Sequence, residues 1–233
     1  MKEVLAANRV QVSLPLDRTA ALFIDLQEEH RHDRRLLAVG FDQVLANVAR
    51  LQAAARAADL SLYHFAYVVD PAAETTRRYH PRLEDGRSAF SDKDDPLSAI
   101  CPEVAPVADE RLIVKTEASA FGSGFGDELS GAGIEWLVIA GVWTEACVDA
   151  TVKDALKRDF RVLLVKDACG SGSVAMHQIG ILNLANRLYG GAVVTTDAAC
   201  RLMAGETVEA WSPLTPVPIR YGYEDAAAPY EAL

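Results

Sequence analysis

The residue best placed for chemistry is Cys147. It lies in the stretch 135–154, EWLVIAGVWTEACVDATVKD. The apolar run 136–140 stops at Gly141 and reads as a buried strand. Val148, Val152, Ala155 and Leu156 then recur at helical spacing, with Asp149, Lys153 and Asp154 on the other side. The cysteine therefore stands where a strand gives way to a helix. Free N–H groups and the positive dipole end at such a junction favour a thiolate over a thiol. Nucleophilic catalysis uses that placement, and few structural roles need it.

The elements that must position Cys147 follow from hydrophobic periodicity. Apolar runs at 19–25, 60–69, 111–115, 136–140, 161–165 and 192–196 read as strands. Helical patterns fall at 41–58, near 127–132, at about 145–158, at 174–189 and near 197–204. Residues 1–18 read as an irregular lead-in and 167–173 as a turn-rich loop. Strand alternating with helix implies an α/β fold, a mostly parallel sheet covered on both faces. Ligands of such sheets bind beyond the carboxyl ends of the strands. Asp25 closes the first strand, Lys115 closes the third, and Cys147 follows the fourth. All three are expected at one sheet edge.

Composition sets the outer bounds. The 233 residues suffice for a single α/β domain over 1–233, with 205–233 as a C-terminal extension packing on the domain or a partner subunit. The formal net charge of −10 argues against nucleic acid and anionic membrane surfaces as partners. No apolar run approaches the ~18 residues of a membrane span, and a cytoplasmic location is expected. Four cysteines, Cys101, Cys147, Cys169 and Cys200, lie far apart without C-x-x-C spacing, which suggests neither a disulfide framework nor a zinc-thiolate site.

Three segments together, LFIDLQ at 22–27, IVKTEASAF at 113–121 and AGVWTEACVDATVKDAL at 140–156, resemble the isochorismatase-like cysteine hydrolases. That superfamily includes nicotinamidases, N-carbamoylsarcosine amidohydrolase and ureidoacrylate and biuret hydrolases, and the resemblance runs from about residue 19 to 200. It implies a three-layer α/β/α fold around a six-stranded mostly parallel sheet, a catalytic triad of Asp25, Lys115 and Cys147, and a non-proline cis peptide at Val142-Trp143. It also implies hydrolysis of a small amide, carbamoyl or ureido compound through a thioester. Cys147 would attack, Asp25 would shuttle the proton, and Lys115 would stabilise the thiolate and hold the carboxylate. Backbone N–H groups of Trp143 and Cys147 would form the oxyanion hole. Members are often dimers or tetramers, so a homodimer or homotetramer is expected. Two alternatives are a vinyl-ether hydrolase of the isochorismatase type, against which Cys147 speaks, and a non-catalytic binding protein on the same fold.

Each residue also has an ordinary reading. A lone cysteine is most often a small buried hydrophobe. Asp25 alone is a capping acid and Lys115 alone a surface charge; only the constellation lifts them above that. Gln27, Arg34, Phe121 and Trp143 are the candidates for substrate contact, with Arg35 beside Arg34. The run QEEHRHDRR reads equally as a solvated charged segment. Nicotinamidases commonly carry an Asp-x-His pair near the second strand, but here Asp70-Pro71-Ala72 follows it. His30, His32 and His80 read as loop histidines, and no metal or cofactor is expected. Gly122, Gly124 and Gly126 do not match a phosphate-loop spacing and read as a flexible loop, with Ser123 a candidate helix cap. Specificity is expected from the loops 27–40 and 70–100.

Overall fold

Strand β2 (Thr19–Ile24) is buried at every position. Six consecutive buried residues require a strand in the middle of a sheet that is covered on both faces. The computed structural model describes residues 2–107, 109–122, 124–215, 218–222 and 224–233. Its sheet has eight strands: β1 (Arg9–Val12), β2, β3 (Ser61–Tyr67), β4 (Arg111–Lys115), β5 (Trp136–Val142), β6 (Arg161–Gly170), β7 (Ala192–Val194) and β8 (Val208–Trp211). Their order across the sheet is β1-β8-β7-β6-β5-β2-β3-β4. The six strands β7 to β4 in that order are parallel throughout.

The helices are α1 (Lys2–Ala7), α2 (Glu29–His32), α3 (Phe41–Ala57), α4 (Phe125–Gly131), α5 (Asp149–Lys157), α6 (Val174–Ala185), α7 (Thr196–Met203) and α8 (Ala227–Glu231). Side chains alternate along each strand and so supply two cores. Ala21 and Phe23 of β2, with Val138 and Ala140 of β5, meet Val44, Val48 and Leu51 of α3 and Leu202 of α7. Leu22 and Ile24 of β2, with Leu137 and Ile139 of β5, meet Leu129 of α4, Val152 of α5 and Ile181 of α6. This is the three-layer arrangement that the strand–helix alternation implies.

Three features differ from the sequence reading. Residues 1–18 are not irregular: they hold α1 and β1, and β1 pairs antiparallel with β8 from the C-terminal extension. The sheet therefore has eight strands where six were expected. Each added strand is four residues long and supplies no apolar run. Strand β6 runs to Gly170 and takes in half of the expected turn-rich loop. It does so past a register shift, beyond which Gly141 and Val142 of β5 pair with Cys169 and Gly170. Helix α6 ends at Ala185, four residues early, because residues 187–191 form a turn with Gly190 at a φ of 78°. Ser123 lies outside the described residues.

Candidate active site

The parallel strands end together, and their carboxyl edge collects the three groups. Asp25 follows β2 with a φ of 50°, in the left-handed region that aspartate tolerates better than most residues. Its backbone N–H donates to the carbonyl of Phe65 at 3.0 Å, so β2 stays bonded to β3 through this turn. Lys115 ends β4, and its ammonium donates to Asp25 Oδ2 at 2.7 Å. The same ammonium donates to the carbonyls of Glu117 at 3.0 Å and Ala118 at 3.1 Å, which uses all three of its hydrogens. Lys115 also lies 4.9 Å from the Tyr67 ring centroid.

Cys147 sits in a π-helical turn, Thr144–Val148, that joins β5 to α5. The N–H groups of Ala146 and Val148 both donate to the Trp143 carbonyl, at 3.0 and 3.2 Å. The Thr144 hydroxyl donates to the Gly170 carbonyl at 3.0 Å, and Thr151 donates to the Cys147 carbonyl at 2.7 Å. The peptide Val142-Trp143 is cis. Gly141, with a φ of 134°, begins this approach; a Cβ there would overlap the Ile24 carbonyl of the neighbouring strand. Glycine is what lets β5 run against β2 just before the cysteine turn.

The electrostatics are those of a coupled buried set. Burial pushes the Asp25 carboxyl up, while the Lys115 charge and hydrogen bonds to Lys115 and the Cys147 thiol pull it down. Asp25 Oδ1 is buried and has no conventional hydrogen-bond partner among the described residues. The Cys147 thiol is pushed up to about 12, first by burial and then by the negative charge of Asp25, against the pull of Lys115. These influences favour the thiol form, opposite in direction to the thiolate that a helix terminus favours. The turn ahead of α5 encloses the sulfur before the helix dipole can dominate.

Beside these groups opens a cavity of about 270 Å³. Asp25 and Cys147 line it, with Leu36, Tyr67, Phe90, Val142, Trp143 and Ala146 as its mostly apolar walls. Its remaining polar lining is Glu29, His30 and Ser91. The Trp143 indole donates to His30 Nδ1 at 3.1 Å. Nδ1 also lies 3.2 Å from the Leu36 carbonyl, which only accepts, so the two neighbours favour opposite tautomers of the ring. Burial lowers the His30 pKa and keeps the ring neutral. Glu29 is buried, and its carboxylate accepts from the Ser91 backbone N–H at 2.8 Å and the Ser91 hydroxyl at 2.5 Å.

Of the expected substrate contacts, only Trp143 lines the cavity. Gln27 is fully buried; its amide donates to the carbonyls of Tyr67 at 2.9 Å and Ser98 at 2.8 Å and accepts from the Tyr67 N–H at 2.9 Å. It ties the loop after β2 to the end of β3. Phe121 packs in the core against Phe125 and Phe160, with ring centroids 5.7 and 5.8 Å apart. Arg34 is exposed and lies outside the lining, and Arg35 forks onto Asp33. Sequence reasoning missed Glu29, His30, Tyr67, Phe90 and Ser91. The charged run QEEHRHDRR hid the first two, because its α2 turns Glu29 and His30 inward while His32 stays exposed. Phe90 and Ser91 come from the loop 70–100.

The residues after β3 do not fit the nicotinamidase type of metal site. Asp70 accepts from the Ala72 N–H at 2.9 Å, and His80 pairs with the Ser88 hydroxyl at 2.6 Å. Elsewhere Glu28, Cys101 and Glu103 bring ligand atoms within 4.8 Å of one another. The Arg31 guanidinium already bonds both carboxylates and supplies the positive charge there. Among the described residues, no helix is long and apolar enough to cross a membrane.

The chain is similar to known proteins. The chain is 33% identical over 138 residues to maleamate amidohydrolase of Pseudomonas putida, covering 55% of this chain and 64% of that enzyme. It is 27% identical over 229 residues to ureidoacrylate amidohydrolase RutB of Variovorax paradoxus, covering 88% and 89% of the two chains. A cysteine hydrolase structure from Pseudomonas syringae pv. phaseolicola superimposes with a TM-score of 0.74 at 20% identity, covering 83% of this chain and 95% of that one. Residues 19–198, which hold Asp25, Lys115, Cys147 and all of the parallel strands, match the isochorismatase domain, and the chain belongs to that hydrolase family.

Proposed function

We propose that this protein is a cysteine-dependent amidohydrolase that cleaves the C–N bond of a small amide, carbamoyl or ureido compound. The observation that carries the reading is the buried Lys115–Asp25 pair beside the Cys147 thiol, with Asp25 and Cys147 lining a small cavity. The relatives' names, maleamate amidohydrolase and ureidoacrylate amidohydrolase, point to the same class of bond.

In this reading, Cys147 Sγ attacks the scissile carbonyl as its proton passes to Asp25. Asp25 Oδ2 is engaged by Lys115, and the unpartnered Oδ1 is the oxygen left to receive it. A thiol with its pKa at about 12 is not deprotonated in advance, so proton transfer accompanies attack. The backbone N–H groups of Trp143 and Cys147 receive the oxyanion. Collapse of the tetrahedral intermediate breaks the C–N bond, and Asp25 returns the proton to the leaving nitrogen. Water then attacks the thioester, giving one proton to Asp25; the C–S bond breaks, the acid departs, and the thiolate is reprotonated from Asp25. The Lys115 ammonium offsets whichever of Asp25 and Cys147 is anionic.

The exposed Leu112 and Val114 of the edge strand β4 support a homo-oligomer as the working form. The four free cysteines support a reducing compartment such as the cytoplasm.

The test is replacement of Cys147 by Ala or Ser, with ammonia release scored over a panel of small amides. Turnover is expected to fall by more than about 10³-fold, with the unfolding transition kept. Retained turnover would remove Cys147 as the nucleophile.

A further inference from the structure

Among the described residues, the cavity beside Cys147 is lined by one buried carboxylate besides Asp25 and by no lysine or arginine. That carboxylate is Glu29. Ser91 donates once to each of its oxygens, which leaves each oxygen with capacity for a further donor. Ser91 is held for this by a φ of 50° in the loop after β3. The nearest ring nitrogen, His30 Nε2, is 3.9 Å from Glu29 Oε1, too far for a hydrogen bond. So Glu29 lines the cavity with unmet acceptor capacity, beside His30 and Ser91 and facing mostly apolar walls; burial pushes its carboxyl up, and the two Ser91 hydrogen bonds pull it back down.

Three basic residues near the site, Lys115, Arg35 and Arg77, are engaged elsewhere, and Arg34 is exposed and outside the lining. Lys115 spends its hydrogens on Asp25, Glu117 and Ala118. Arg35 is forked onto Asp33, and Arg77 is paired with Glu117. A substrate carboxylate placed beyond the scissile amide would thus be desolvated next to Glu29 with no countercharge. An N–H donor in the same place would complete the Glu29 shell.

We propose that Glu29 is the specificity residue of this cavity, and that it selects amides whose far end carries an N–H donor, an ammonium or a second amide, over amides ending in a carboxylate. This deepens the amidohydrolase reading and rests on it for the position of the scissile bond. The cavity, at about 270 Å³, suits a short substrate of this kind.

The test uses three ligands that differ at the far end: 3-aminopropanamide (ammonium), succinamide (amide) and succinamate (carboxylate). Their affinities are measured by ligand-observed NMR on the Cys147→Ala protein, where binding is read without turnover. The two donor-ended ligands are expected to bind about 100-fold more tightly than succinamate, the size of a like-charge juxtaposition. In a protein that also carries Glu29→Gln the ratio should shrink below about tenfold, because a neutral amide no longer repels a carboxylate. A wild-type Glu29 cavity that binds succinamate as well as or better than the others, or none of the three, overturns the proposal. Ammonia release by the unmodified enzyme separates the two readings. Cleavage with succinamate preferred defeats the Glu29 inference and leaves the amidohydrolase standing. The expected binding order with no cleavage of any amide does the reverse.

Discussion

Lys115 Nζ lies 2.7 Å from Asp25 Oδ2, with the lysine side chain 4% exposed and the aspartate side chain 3% exposed. The two residues are 90 positions apart and come together because β2, β3 and β4 are parallel neighbours ending at one edge. Neither charge has access to bulk water, so each depends on the other.

Removing one partner leaves the other buried without compensation. Lys115→Met is expected to destabilise the fold by about 3–5 kcal/mol, read from urea unfolding midpoints. Asp25→Asn removes the proton acceptor, and kcat should fall by about 10²–10⁴-fold. A Lys115→Met protein of unchanged stability would show that the pair is not a buried unit.

The raised Cys147 pKa has a stability consequence whose sign can be worked out. An unfolded thiol titrates near pH ~8.5, whereas the folded one holds its proton to about 12. Between those values the folded chain binds more protons than the unfolded chain, so stability falls as pH rises. Cys147→Ala removes this contribution, so its alkaline stability loss should be shallower than that of the parent. Cys101, pushed up to about 11, and Cys169, pushed up to about 12, contribute equally to both proteins. Urea midpoints from pH 8 to 11 check this; parallel curves would mean that Cys147 titrates in the fold as it does in the unfolded chain.

Gly141 has a φ of 134°, and a side chain there meets the Ile24 backbone. Gly141→Ala should cost more than about 3 kcal/mol, combining backbone strain with steric displacement of β5 from β2. Thermal unfolding reads the loss. An unchanged transition would show that β5 can part from β2 at this point freely.

Gln27 bonds only backbone groups, of Tyr67 and Ser98, and does not line the cavity. Gln27→Leu leaves those groups unpaired and should destabilise by about 1–3 kcal/mol. The KM of any amide that is turned over should stay within about twofold. A large rise in KM without loss of stability would restore Gln27 as a substrate contact.

Tyr230 supports the cysteine turn from the other end of the chain. The Thr144 hydroxyl donates to Gly170, so His177 Nδ1 donates to Thr144, and His177 Nε2 accepts from the Tyr230 hydroxyl at 2.8 Å. Burial holds His177 neutral, with its pKa lowered to about 4, so the chain of bonds persists at neutral pH. Tyr230→Phe should cost about 1 kcal/mol of stability, measured by urea unfolding; no change would detach the tail from the site.

The sequence by itself determined the six parallel strands, the helices α3, α5 and α7 to within a few residues, and which three residues gather at the sheet edge. Those features rest on hydrophobic period and on the rule that parallel strands end together, and both are local or topological. Tertiary structure decided the rest. Strands β1 and β8 exist only because the two ends of the chain pair with each other, a contact separated by some 200 residues that no short window contains. Gln27 and Phe121 look like site residues in the sequence, but the neighbours that claim them, Tyr67 with Ser98 and Phe125 with Phe160, are set by packing. Glu29 and His30 look solvated, yet the turn of α2 and the arrival of Ser91 from 62 positions away carry them into the cavity. The upward push on the Cys147 thiol was also beyond the sequence, because burial and the charge of Asp25 cause it, and both are properties of the folded edge.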